Sequence, residues 1–127
     1  MTPTIESITT TALTLALDAA SLRQQAISTN IANVNTPGYA PMAVSFEDQL
    51  EDAKQALQAT GRLDAASLAG VRPVLHETTG AGGIAPKVLL DVEAANLAQN
   101  AVHFQALLKG LSKHMALLSS ATSDGKK

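Results

Sequence analysis

Three histidines, His76, His103 and His114, are the side chains in this 127-residue chain whose ordinary pKa suits acid–base work near neutral pH. His103 and His114 stand eleven residues apart. On one helix that separation is ~16 Å along the axis. Two ligands of one metal must each lie about 2.1 Å from it. The pair cannot share a metal within one helix, and surface or interface histidines are expected. Serines and threonines are numerous, but none stands in a G-x-S-x-G setting that would make a nucleophile. Glu47, Asp48, Glu51 and Asp52 are the dense carboxylate group. They lack the D-x-D-x-D-G spacing of a calcium loop. They fit the first turns of a solvated helix, where the dipole favours acid. The stretch GAGG, residues 80–83, lacks the spacing of a phosphate-cradling loop and the Lys-Ser/Thr that would follow. With no cysteine, disulfides and thiolate chemistry are excluded. The expectation is no enzyme, no cofactor and no metal.

The residues that call for an explanation are amides. STNIANVNTPGYAP, residues 28–41, places Asn30, Asn33 and Asn35 at the end of an Ala/Leu-rich segment and follows them with Thr36, Pro37, Gly38 and Tyr39. Thr36 precedes proline and is pushed out of the helical region. Pro37 and Gly38 fit the central positions of a type II turn, with glycine taking the positive φ. Asn33 and Asn35 suit a helix end, where their amides can satisfy loose carbonyls. A stop signal alone leaves Asn30, a turn earlier, and Tyr39 without a role. Amides on an otherwise apolar helix suggest hydrogen bonds to a neighbouring backbone.

The elements that carry these residues are helices. From Pro3 to Asn35, Ile5, Ile8, Ala12, Leu15, Ala19, Leu22 and Ala26 alternate at three and four, a heptad seam. A second stripe of Leu13, Leu17, Ala20, Ile27, Ile31 and Val34 lies to one side, so burial comes from two directions. In the last segment Leu90, Ala94, Leu97, Ala101, Phe104, Leu108, Leu111, Met115 and Leu118 keep the 4-3 spacing without a break. Gly110 weakens that helix or allows close approach. Between them, Ser45 with Asp48 resembles a capping box, and Phe46, Leu50, Ala53 and Leu57 give a short helix its stripe. Gly61 closes it. VRPVLHE can extend as an edge strand, with Pro73 forbidding a central one.

The fold class that follows is all-α: an elongated antiparallel pair of terminal heptad helices with a short helix and an irregular, flexible middle. The boundaries are 1–35 for the first helix, 36–59 for the turn and short helix, 60–87 for the insertion, 88–120 for the last helix and 121–127 for a polar tail. Two Phe, one Tyr and no Trp suit helices packed closely, with burial completed against other chains. Net charge is −2 with scattered basic residues, which leaves no nucleic-acid footprint. TALTLALDAAS lacks the positive flank of a cleaved signal, and no apolar run reaches the ~20 residues that span a bilayer.

STNIANVNTPGY, residues 28–39, closely resembles the signature of bacterial flagellar rod and hook axial proteins, in which a helix ends in A-N-x-x-T-P-G-Y. SFEDQLEDA follows it where short rod proteins carry a Phe-containing helix. DVEAANLAQNAVHFQALLKGLS, residues 91–112, resembles their C-terminal segment, with its aromatic-Gln-Ala-Leu core at Phe104 to Leu107. The likeness covers both terminal segments and not the middle. It implies a structural subunit of the proximal rod that stacks helically through its terminal helices and transmits torque passively. It also implies passage through the flagellar type III export apparatus to the periplasmic rod, without a cleaved signal. The implied partners are copies of itself, the rod proteins FlgC, FlgF and FlgG, the adaptor FliE and the inner-membrane ring, with no nucleic acid and no membrane insertion. Asn30, Asn33 and Tyr39 would then contact neighbouring subunits. Thr36, Pro37 and Gly38 would turn the chain away from the inner tube. Ile8, Leu15, Leu22, Leu97, Phe104, Leu108, Leu111 and Met115 would pack the helix seam and the subunits. The sister rod protein FlgC and a small helical adaptor or chaperone-like module are the alternatives.

Overall fold

A computed structural model describes residues 5–62 and 65–125. Two helices dominate it: α1, Ile5–Ala32, and α4, Leu90–Asp124. At 1.5 Å per residue they are about 42 and 52 Å long. Asn30 meets Glu93, Ala20 meets Asn100, and Leu13 lies beside Gly110. Position numbers rise on one helix as they fall on the other, so the pair is antiparallel.

Both apolar stripes of α1 find partners. Leu15 and Ala19, with Ile8, Ala12 and Ala16 beside them, enter a core with Phe46, Ala53, Leu68 and Val71. The second stripe lies toward α4, where Leu13 nears Gly110 and Ala20 receives Asn100. Ala19 and Ala20 are both 0% exposed. With only a methyl group each, they let two different neighbours approach the α1 backbone from two sides. That close approach explains a core with so few rings.

Between the helices the chain builds a small cap. Strand β1, Met42–Ser45, pairs antiparallel with β2, Val74–Glu77, placing Ala43 opposite His76. Pro73 stands just before β2, where its missing N–H breaks no ladder bond. Helix α2, Glu47–Thr60, ends at Gly61, which donates its N–H to Leu57 O at 2.8 Å and then turns the chain out of the helix with φ of 69°. The short α3, Ala65–Ala69, seats Leu68 in the core. A 3-10 turn follows at Ala81–Gly83. The segment read as an irregular insertion therefore contains a helix and a strand that help close the core.

Two expectations need correction. Ser45 does not cap α2: it is the last residue of β1, and Phe46 occupies the cap position with no side-chain cap bond. The ring enters the core at 5% exposure, and Arg23 pairs with Glu47 to fix the start of α2 on α1. The face of α4 that packs on α1 is also shifted. Its covered positions are Glu93, Leu97, Asn100, Phe104, Leu107, Leu111, His114 and Leu118. Leu90, Ala94, Ala101, Leu108 and Met115, assigned to one stripe with Leu97 and Leu111, are exposed. One partner helix covers one side of a wide apolar face, and the bond from Asn100 to α1 selects which side.

Gly110 sits in this packing with room to spare. A Cβ there would meet only Leu13 Cδ2, at 3.9 Å, an ordinary contact. Gly110→Ala is expected to raise the denaturation midpoint of the isolated chain, by about 1 kcal/mol of helix propensity. A lower midpoint would mean that the glycine serves close packing within the chain.

Candidate functional site

The motif residues converge where α1 ends. After Ala32 the helix loosens into tighter turns: Asn33 N–H bonds to Thr29 O at 3.1 Å, and Val34 N–H to Ile31 O at 3.4 Å. Asn33 Nδ2 also caps Thr29 O at 2.9 Å, and Asn33 Oδ1 accepts from Thr36 Oγ1 at 3.1 Å. Gly38 has φ of 73°, and Tyr39 N–H reaches Thr36 O at 3.3 Å. That is the turn expected across Pro37-Gly38. Asn35 is exposed and does not adopt a positive φ.

Asn30 is the centre of the junction and is 2% exposed. Its Oδ1 accepts from Tyr39 Oη at 2.7 Å and from Met42 N–H at 2.7 Å. Its Nδ2 donates to Met42 O at 3.0 Å and to Glu93 Oε2 at 3.3 Å. A carboxamide offers two donor hydrogens and two acceptor lone pairs, and all four are used. One side chain thus joins α1, the turn, β1 and α4. The resemblance implied that Asn30, Asn33 and Tyr39 contact neighbouring subunits. Within the chain the polar groups of all three are engaged, and Asn30 is buried.

Glu93 and Asn100 complete the register, and sequence reasoning missed both. Asn100 Nδ2 donates to Ala20 O at 2.9 Å and to Gln24 Oε1 at 3.1 Å. The signal was present as the amide-rich run Asn96, Gln99 and Asn100 beside the seam. Of the seam residues, Leu15 is buried; Ile8, Leu22, Leu97, Phe104 and Leu111 are half-buried; Leu108 and Met115 are exposed. His76 and His103 are exposed and His114 half-buried. Among the described residues no three of His, Cys, Asp and Glu gather as a metal site. No described helix is long and apolar enough to cross a membrane.

Two consequences can be measured. The Gly38 conformation is disfavoured for any residue with a Cβ, by ~1–2 kcal/mol, although a Cβ there would touch nothing within 4 Å. Gly38→Val is therefore expected to lower the midpoint through the backbone alone, and Gly38→Ala less so. An unchanged midpoint for both would remove the turn from the account. The Tyr39 phenol is held above its ordinary 10.0, first by burial, then by the negative charge of Glu93 and, more weakly, Glu77; the Met42 N–H acts against them. With the folded value raised, the stabilisation is fully present below pH 10 and is lost as pH rises through the folded value. Tyr39→Phe is expected to flatten that alkaline decline. An equally steep decline in the variant would place its origin elsewhere.

Two long antiparallel helices are thus keyed together by buried amides beside a type II turn. The family profile described as "Flagella basal body rod protein" matches residues 12–39, which end on the turn tyrosine. Over 116 residues the chain is 29% identical to the flagellar basal body rod protein FlgB of Bacillus subtilis (strain 168), spanning 87% of this chain and 90% of that protein. Over 37 residues it is 54% identical to the FlgB of Borreliella burgdorferi (strain ATCC 35210 / DSM 4680 / CIP 102532 / B31), spanning 29% of this chain and 27% of that one. The chain is thus similar over most of its length to a flagellar basal body rod protein, and the end of its first helix matches the profile of that family.

Proposed function

We propose that this chain is a structural subunit of the proximal flagellar rod, of the FlgB kind, which self-assembles helically through α1 and α4 and transmits torque passively. The observation that carries the reading is the outer face of α4. With α1 already in place, Leu90, Leu108 and Met115, which lie on one line of the helix, stay 45–50% exposed. Such a run of exposed large apolar side chains marks an interaction surface. In a helical array the same face is covered in every copy by its neighbours. Other rod proteins (FlgC, FlgF, FlgG), the adaptor FliE and the inner-membrane ring are the partners this position implies. Passage through the type III export apparatus, without a cleaved signal, would bring the chain there.

The test is a map of purified basal bodies from cells carrying a tagged copy of the chain. Density for the tag at the base of the rod, next to the inner-membrane ring, is the expected result. The tag elsewhere along the rod would favour the sister protein FlgC. A chain absent from basal bodies and stable as a small soluble oligomer would overturn the reading in favour of an adaptor.

A further inference from the structure

Strand β1 has two edges, and only one of them is used by β2. Thr78 N–H donates to Pro41 O at 2.8 Å, and Ala43 stands opposite His76. In an antiparallel ladder, bonded and non-bonded pairs alternate. Pro41, Ala43 and Ser45 therefore face β2, while Met42 and Val44 direct their N–H and C=O the other way. Met42 is closed off by Asn30, at 2.7 and 3.0 Å. The outward pair of Val44 has no such partner among the described residues. It borders a groove of about 670 Å³ between β1 and α4, lined by Val44, Arg23, Glu47, Asn96, Gln99 and His103 among others.

The chemistry of this groove matches a polypeptide backbone. Arg23 and Glu47 pair with each other, and farther along Lys87 is balanced by Glu93. The lining thus favours a neutral ligand over a phosphate or an acid. Asn96 and Gln99, exposed on α4, also line it. A carboxamide carries a donor and an acceptor side by side, as a peptide unit does. This chain already uses that match twice. Asn30 grips both backbone groups of Met42. Gln49 grips both of Arg72, with Nε2 to O at 2.7 Å and N–H to Oε1 at 3.0 Å.

We propose that the groove docks an extended segment of a neighbouring rod chain of different sequence, which adds as a strand to β1 at Val44 and is held on its other side by Asn96 and Gln99. The inference rests on this chain's place in the rod. Backbone bonds supply affinity in such strand addition, and the outward N–H and C=O of Val44 set the register, since Asn30 already takes those of Met42. A second copy of this chain is a poor donor. Its own extended stretch, residues 84–89, contributes Pro86, Lys87 and Val88 to the lining of the same groove. A copy could donate that stretch only by giving up its place in its own groove.

Deuterium exchange of purified basal bodies, compared with the isolated chain, reads this directly. The Val44 amide is expected to slow by roughly tenfold or more on assembly. Unchanged exchange in basal bodies that contain the chain would overturn the docking inference and leave the rod reading intact; basal bodies lacking the chain would overturn both. A photoreactive benzophenone residue at Gln99, irradiated in the same particles, should join to one extended segment of a different chain, whereas a cross-link to a copy of this chain would overturn the choice of occupant. Val44→Pro removes the outward N–H and no ladder bond, a change that an edge strand accepts. It should reduce rod-bearing basal bodies roughly fivefold, the scale of one lost hydrogen bond, against Val44→Ala, which keeps the N–H. Equal rod counts for Val44→Pro and Val44→Ala would overturn the proposal.

Discussion

Asn30→Asp is expected to be the most damaging isosteric substitution in this chain. The side chain keeps its shape but loses both donor hydrogens. Met42 O and Glu93 Oε2 would then face a carboxylate oxygen where an amide nitrogen stood, 3.0 and 3.3 Å away. The site is 2% exposed, so water cannot take over the lost bonds. Each buried group left unsatisfied costs ~1–3 kcal/mol, and more when it is charged. A loss of about 3 kcal/mol or more in folding stability is expected, a large share of what a small domain possesses. Glu93→Gln supplies the control. A glutamine at position 93 can donate to the new carboxylate, so the double variant should recover part of the loss, and Glu93→Gln alone should cost little. Denaturant titration of all three variants measures this. Additive losses in the double variant would show that Asn30 and Glu93 do not act together, and the keyed junction would fail as an account of helix register.

The contrast between Asn30 and the turn beside it shows what local sequence can reveal. Thr36, Pro37 and Gly38 act through their own backbone preferences, so the turn was legible in the order of residue types. Asn30 acts through Met42, twelve positions on, and Glu93, sixty-three positions on. Its burial depends on a strand and a helix that no local pattern brings to it. The two stripes of α1 were legible because they are apolar and periodic, and the scarcity of aromatic residues pointed to close packing. Ser45 was misread because strand pairing with Val74 took the residue before the helix could. On α4 the period was legible and the facing was not. Its apolar surface is wide enough for two overlapping seams. The choice falls to the bond from Asn100 to Ala20 O, across eighty positions. A polar residue on a helix otherwise read for apolarity gives no sign of pointing inward until its acceptor is known.

That choice of facing gives α4 two separable duties, and charge substitutions on its two sides should separate them. Leu111 is half-buried against α1, whereas Leu108 and Met115, on the flank beside it that α1 leaves uncovered, are 45% and 46% exposed. Leu111→Lys would remove packing worth ~2 kcal/mol or more and press a charge into a contact made for an apolar side chain. The isolated chain should lose helicity, and rods should fail with it. Leu108→Lys and Met115→Lys put their charges into water in the isolated chain, where they should leave the denaturation midpoint within about 0.5 kcal/mol. In a helical assembly the same charge recurs in every copy, on a face that neighbours must cover. Rods should therefore fail although the chain folds and is exported. The measurements are circular dichroism of each purified chain, swimming on soft agar, and a count of basal bodies that carry rods. Normal rods with Leu108→Lys and Met115→Lys combined would show that the outer face of α4 is not a subunit contact. The apolar residues along it would then need another partner.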